Sequence, residues 1–229
     1  MQQHILVIIP AFNEADSIEK VIRDIPEHVV REVVVVSNGS TDRTAEYAEA
    51  AGATVLHEQR RGYGAACLKG IAYAKTKQPD VVVFLDGDYS DFPNEITALV
   101  KPIFEEDVDL VIGSRIIGNA EPGALLPQAR FGNWLATRLI RLFWNYRFTD
   151  LGPFRAVKFD KLLSMQMQDQ TFGWTVEMQV KAAKMKLHCV EIPVSYRKRI
   201  GTSKITGTVS GTVKAGYKIL FTIFKLLVT

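Results

Sequence analysis

Apolar and polar positions along the chain follow two alternating patterns. Short continuous apolar runs, "HILVIIP", "REVVVVS", "ATVLHE", "DVVVFLD" and "DLVIGS", leave no face for water and predict strands buried on both sides, as in a parallel sheet. Between them, residues 14–25, 41–51, 63–75 and 94–105 carry apolar positions at helical spacing. Strand and helix in alternation predict an α/β fold: a three-layer α/β/α sandwich with a mostly parallel central sheet.

In such sheets ligands bind beyond the carboxyl ends of the strands. The polar residues gather there: Asn13 and Glu14 after the first run, Asn38 and Ser40 after the second, residues 60–64 after the third, 86–91 after the fourth, and Ser114 and Arg115 after the fifth. Taken singly, each is open to a plainer reading, since Ser40, Thr41 and Asp42 ahead of a helix are also capping residues. In "RRGYGAA", Gly62 and Gly64 form a simple turn or let backbone N–H groups approach a phosphate.

The stretch "VVVFLDGDYSDFP" ends the most apolar strand in three aspartates. Asp86 and Asp88 are two apart, so at a strand end they share a face, about 7 Å apart along the chain. Crowded carboxylates call for a cation, and a hard divalent ion such as Mg²⁺ or Mn²⁺ is held by one or two carboxylates plus substrate phosphates. Asp91 also fits as a cap for the helix that follows Pro93.

With 229 residues, 47% of them hydrophobic, the chain can bury one sizeable core. The reading is one domain, residues 1–206, followed by an amphipathic basic helix, residues 207–229. Cys67 and Cys189 lack metal-ligand spacing, and no secretory pattern opens the chain. From Ile192 onward there are seven Lys or Arg and no Asp or Glu. That one-signed tail, with Trp134, Trp144 and Tyr146 among the leucines of 129–146, suits a membrane surface bearing anionic headgroups. The helix of 129–146 equally fits a core position. Lys214, Lys218 and Lys225 interrupt the last segment, so a spanning helix is not expected.

The motifs "VIIPAFNEADSI", "VVVSNGSTDRT", "RRGYGAACLKG", "FLDGDYSDFPNEI", "VIGSR", "TDLGPFRA" and "VSYRKRIGTSKI" together resemble family 2 glycosyltransferases, most of all the dolichyl-phosphate (polyprenyl-phosphate) mannose and glucose synthases. The resemblance implies a GT-A fold with a Rossmann-like nucleotide-binding half, a GDP- or UDP-sugar donor, Mg²⁺ or Mn²⁺, and inverting hexosyl transfer to a polyprenyl phosphate. It implies a cytoplasmic enzyme, peripheral on the inner face of the membrane or dependent on a membrane-protein partner, with no nucleic-acid partner.

By the same resemblance, Pro10, Ala11, Phe12, Asn13 and Glu14 hold the nucleoside, with Asn38, Gly39, Ser40 and Asp42 as the second nucleotide turn and Gly62, Gly64, Asp86 and Gly87 beside it. Ser37 and Asn38 stand where the family often has two aspartates, which leaves the base open between guanine and uracil. Asp86, Asp88 and Ser90 match the metal side, Ser90 replacing a glutamine. Arg115 joins Asp88 and Asp150 as catalytic candidates; Arg130, Arg155, Arg199 and Lys204 match the basic acceptor side, and Arg197 or Lys198 competes with Arg199. A lipid phosphate needs no general base because it is already largely ionised near neutral pH. A hydroxyl acceptor needs one, with Asp150 or Glu177 as candidates. The alternatives are a family 2 enzyme with a saccharide or soluble acceptor, a sugar nucleotidyltransferase and a nucleotide-sugar-binding module.

Overall fold

A computed structural model describes residues 3–201 and 209–228. Seven strands form one sheet: β1 (Ile5–Ala11), β2 (Glu32–Ser37), β3 (Thr54–His57), β4 (Val81–Phe84), β5 (Leu110–Ala120), β6 (Arg155–Lys158) and β7 (Cys189–Tyr196). Their order is β3-β2-β1-β4-β6-β5-β7. The β1, β2, β3 and β4 pairs are parallel, as is β5 with β7, while β6 runs antiparallel to both β4 and β5.

The helices are α1 (Ile18–Arg23), α2 (Thr44–Ala50), α3 (Tyr63–Lys77), α4 (Ile96–Glu105), α5 (Pro127–Trp144), α6 (Phe159–Ser164), α7 (Trp174–Lys184) and α8 (Val209–Val228). Three start later than their apolar spacing suggests: α4 follows a short 3-10 turn over Pro93–Glu95, and α1 and α2 are delayed by turns. Residues 14–17 turn instead, with Ser17 and Ile18 N–H both donating to the Glu14 carbonyl, and the Asp42 carboxylate takes the Thr44 N–H at 3.0 Å. Strand β5 also runs on past Ser114, with a register shift between Ser114 and Asn119 against β7, so Arg115 lies within a strand and not after one.

The alternating side chains of the strands divide the interior into two layers. Leu6, Ile8, Val34, Val82 and Phe84 pack with Trp174 on one face, and Ile5, Val7, Ile9, Val35 and Val83 pack with Ile18 and Leu99 on the other. Burial on both faces explains why these strands read as unbroken apolar runs. Helix α8 lies against α5 and α7, with Ile223 and Thr222 buried and Phe224 edge-on to Phe143 at 5.9 Å. Part of the 129–146 stretch is therefore core-facing: Ala136, Thr137 and Ile140 are buried, while Phe131, Trp134 and Leu142 face outward.

Candidate active site

The ends of β1, β2 and β4 and the start of α3 enclose a cleft of about 270 Å³. Pro10, Ala11, Phe12 and Glu14 line it from the first turn, Asn38 from the second, Gly62 and Tyr63 from the third, and Asp86, Gly87 and Asp88 from the fourth. Four further residues, Arg61, Ala66, Phe172 and Arg199, complete the wall. The Arg61 guanidinium lies 4.9 Å from the Phe12 ring centre.

Other predicted nucleotide residues form the frame behind this wall. Asn13, in the left-handed region at φ 54°, donates its N–H to Ser40 Oγ at 3.1 Å and accepts the Thr41 N–H on Oδ1 at 2.8 Å. Asp42 accepts the Ala15 N–H at 3.2 Å, and Gly39 turns the chain at φ 70°. Asn13, Gly39, Ser40 and Asp42 thus tie the first turn to the second without lining the cleft. The Asn38 amide is also engaged: Nδ2 donates to the Arg60 carbonyl at 2.6 Å and Oδ1 accepts the Gly62 N–H at 2.7 Å. It holds the third turn in place while lining the cleft.

The glycines of that turn need a correction as well. A Cβ on Gly62 would lie 2.1 Å from the Gln170 carbonyl oxygen, and one on Gly64 would lie 2.1 Å from that of Asp169. The Gly64 N–H donates to the Thr171 carbonyl at 3.2 Å. These glycines admit residues 169–171 to the turn, so their N–H groups do not cradle a phosphate.

At the end of β4, Asp88 Oδ2 meets Arg199 at 3.1 Å, and the same guanidinium reaches Glu14 Oε1 at 3.1 Å. Backbone bonds deliver Arg199: the Arg197 N–H donates to the Ser90 carbonyl at 2.9 Å and the Ile200 N–H to the Asp88 carbonyl at 3.0 Å. Arg197 is held elsewhere, its guanidinium 3.3 Å from the Tyr89 ring centre, which singles out Arg199 among the three basic neighbours. It faces the metal side, not a separate acceptor side. Ser90 is wholly buried and donates both its N–H and its hydroxyl to Asp88 Oδ1, so it orients that carboxylate and is not placed as a ligand.

Among the described residues, the buried polar atoms without a hydrogen-bond partner include Asp86 Oδ1, both carboxylate oxygens of Asp91 and Arg199 Nε here, besides the Tyr63 hydroxyl, Trp174 Nε1 and Gln179 Oε1. Burial, with the Asp88 charge beside it, pushes Asp86 up to about 7. An unsatisfied carboxylate oxygen next to a second carboxylate is the donor set a hard divalent cation takes. No group of three or more His, Cys, Asp or Glu side chains suited to a metal is found among the described residues, so further ligands would be water and substrate oxygens.

The expected catalytic and acceptor groups on the β5–β6 side are engaged with each other. Asp150 is fully buried; its Oδ2 accepts both the N–H and Nε–H of Arg115 and its Oδ1 accepts Nη2–H, each at 2.8 Å. Burial opposes both charges, yet the pair holds Asp150 below and Arg115 above their ordinary values. Arg155 is fully buried too and donates to the carbonyls of Leu151, Gly152 and Thr175, with burial lowering it to about 10. It cannot reach an acceptor phosphate. Glu177 is buried, accepts the Gln168 and Asp169 N–H groups and pairs with Lys181 at 2.7 Å, which removes it as a base. Arg130 is exposed on the first turn of α5 and does not line the cleft. Lys204 lies outside the described residues.

The glycosyl transferase family 2 sequence profile matches residues 6–163. The chain belongs to glycosyl transferase family 2. This family 2 chain is 32% identical over 214 residues to an uncharacterized glycosyltransferase of Mycobacterium tuberculosis, covering 92% of this chain and 94% of that one. It is 27% identical over 219 residues to a Micrococcus luteus protein named undecaprenyl-phosphate mannosyltransferase, covering 90% and 89%. Its fold matches a crystal structure of glucosyl-3-phosphoglycerate synthase from Mycobacterium tuberculosis in complex with Mn²⁺, UDP and phosphoglyceric acid. The TM-score is 0.79 at 22% identity, over 98% of this chain and 78% of that one. The GT-A α/β/α sandwich with its mostly parallel sheet is thereby established.

The narrower expectation, a polyprenyl-phosphate mannose or glucose synthase, is corrected. Nearly all of this chain shares the fold of a synthase whose complex holds phosphoglyceric acid. Among the described residues the basic acceptor side on which a lipid phosphate would sit is not assembled either, since Arg155 is sealed in the interior and Arg199 belongs to the donor cleft. No described helix is long and apolar enough to cross a membrane. The polyprenyl phosphate acceptor, the membrane surface and the membrane-protein partner are not retained.

Proposed function

We propose that this family 2 glycosyltransferase moves a hexosyl group from a nucleotide sugar, with a UDP-sugar the first to try, to a hydroxyl of a soluble acceptor, whose proton passes to the departing diphosphate because Asp150 and Glu177 are both engaged. The reading keeps a cytoplasmic setting and drops its membrane-surface part. The observation that carries it is one cleft in which the Phe12, Tyr63 and Phe172 rings adjoin the Glu14, Asp86 and Asp88 carboxylates and the Arg199 guanidinium. The rings suit a nucleoside and the charged end suits a metal-bound diphosphate. The glucosyl-3-phosphoglycerate synthase structures, with their UDP-glucose, Mn²⁺ and soluble acceptor, support the same assignment.

Asp86 and Asp88 would hold Mg²⁺ or Mn²⁺, which when bound offsets the charge that grows on the departing diphosphate. Arg199 adds a fixed positive charge there, and its Nε–H, without a partner among the described residues, can meet an anionic oxygen. Ser90 fixes the rotamer of Asp88, and Asn13 with Asn38 locks the two turns that shape the nucleoside end. These are positioning contributions, the kind that dominate when a good leaving group is already present.

The test supplies labelled UDP- and GDP-sugars and Mn²⁺ together with a fractionated cell extract that holds both small metabolites and membrane lipids. Acceptor-dependent release of a nucleoside diphosphate, with label in a water-soluble product, is expected. Label found solely in an organic-extractable lipid would overturn the soluble acceptor. Release of pyrophosphate would make the protein a nucleotidyltransferase, and donor binding without turnover would make it a binding module.

A further inference from the structure

Residues 168–173 cross the wall of the donor cleft without helix or strand of their own. On the cleft side this strap contributes Phe172 to the wall. It also grips the 60–64 turn: the Gln170 carbonyl accepts the Ala65 N–H at 2.9 Å, and Arg60 donates to Gln170 Oε1 at 2.6 Å. Gly62 and Gly64 leave no slack between the two, so any shift of the strap is passed to the turn that carries Arg61.

From behind, the strap is organised by Asp169. Its side chain is 7% exposed, and Oδ1 accepts the N–H groups of Thr171 at 2.7 Å and Gly173 at 3.2 Å. Oδ2 pairs at 2.8 Å with Lys218 of α8. Helix α8 also presses on the strap directly, since a Cβ on Gly173 would lie 2.4 Å from Thr222 Oγ1 and 2.7 Å from Asp169 Oδ2. Beside this seam lies a cavity of about 560 Å³ lined by Asp169, Thr171, Lys218 and Thr222, so a strap without its support has space to move into.

We infer that α8 is a brace for donor binding, and that Lys218, through the Asp169 carboxylate, is a positioning residue that sets affinity for the nucleotide sugar. The inference rests on the donor-cleft reading above. Removing the ammonium leaves a nearly buried carboxylate without its cation; the charge is then satisfied by water or a proton, and the turn of N–H groups around it loosens. Lys218 itself touches no substrate. Its loss should therefore act on donor binding and leave the chemical step alone.

The experiment measures UDP and GDP affinity, donor KM and kcat for the full chain and for Lys218→Met, Lys218→Arg and Gly173→Ala, with melting temperatures alongside. Lys218→Met should raise donor KM and weaken binding of the preferred nucleotide by the same roughly five- to tenfold, with kcat within about twofold. Lys218→Arg should restore most of the loss, and Gly173→Ala, which forces the seam open from the strap side, should reproduce the KM rise. Unchanged nucleotide affinity in Lys218→Met, or a fall in kcat at constant KM, overturns the brace. Should Lys218→Met not fold, an unchanged KM in Gly173→Ala does the same. A wild-type chain that binds neither nucleotide overturns the cleft assignment instead.

Discussion

Two charged regions of this molecule hold the same residue types in opposite conditions. At the end of β4, Asp86, Asp91 and Arg199 each keep at least one buried polar atom with no partner among the described residues. Beside the start of β6, both oxygens of Asp150 are taken by Arg115, and the Arg155 guanidinium donates to backbone carbonyls. A native fold seldom tolerates unsatisfied buried charged groups without a reason, whereas charges matched by fixed partners are self-sufficient, even though the uncharged Gln179 Oε1 beside Asp150 has no partner among the described residues. The contrast separates a place prepared for a ligand from one that braces the sheet.

The strongest way to break the contrast is Asp150→Ala. It strands the buried Arg115 cation, and stability measured by denaturant unfolding should fall by about 3–5 kcal/mol. A loss below about 1 kcal/mol would mean that the pair is not structural.

Asp88→Ala should do the reverse. Turnover at saturating donor should drop roughly 10²–10³-fold, while the melting temperature stays near wild type because one carboxylate is removed from a crowded set. Activity retained within a few-fold would remove the end of β4 from the chemistry.

The smallest effect concerns Asp91. Burial, with the Asp86 and Asp88 charges nearby, pushes it well above the ordinary carboxylate range. A raised folded value means that its contribution is fully present below about pH 4 and is lost as pH climbs toward that value. Asn cannot ionise, so in chelator the melting temperature of Asp91→Asn should gain on wild type as pH goes from about 4 to 8. A constant difference across that range would show that Asp91 ionises freely.

What could be read from the chain follows the same division. The strands of the nucleotide half were legible because burial on both faces writes continuous apolar runs, and the turns after them announced themselves in Asn13, Asn38 and the "DGD" segment. The donor cleft draws on these local signals. The β6 side was not legible, because whether Asp150 meets a substrate or Arg115 depends on two residues 35 positions apart in the chain. Strand β6 carries only Arg155–Lys158, too short for a pattern, and nothing local states its reversed direction. Phe172 and the 168–173 strap escaped for the same reason, since neither has a periodicity of its own. The tight glycines in "RRGYG" were the available clue, and they pointed to a neighbouring backbone, not to a phosphate.

The strand order has a consequence for synthesis. Strands β1 to β4 neighbour one another in the sheet and can pair while the remaining chain is still leaving the ribosome. Phe172 and Arg199, which finish the cleft wall, emerge long afterwards. A prematurely released polypeptide would hold half a sheet without a grip on nucleotide, so ligand capture marks the arrival of the last third of the molecule.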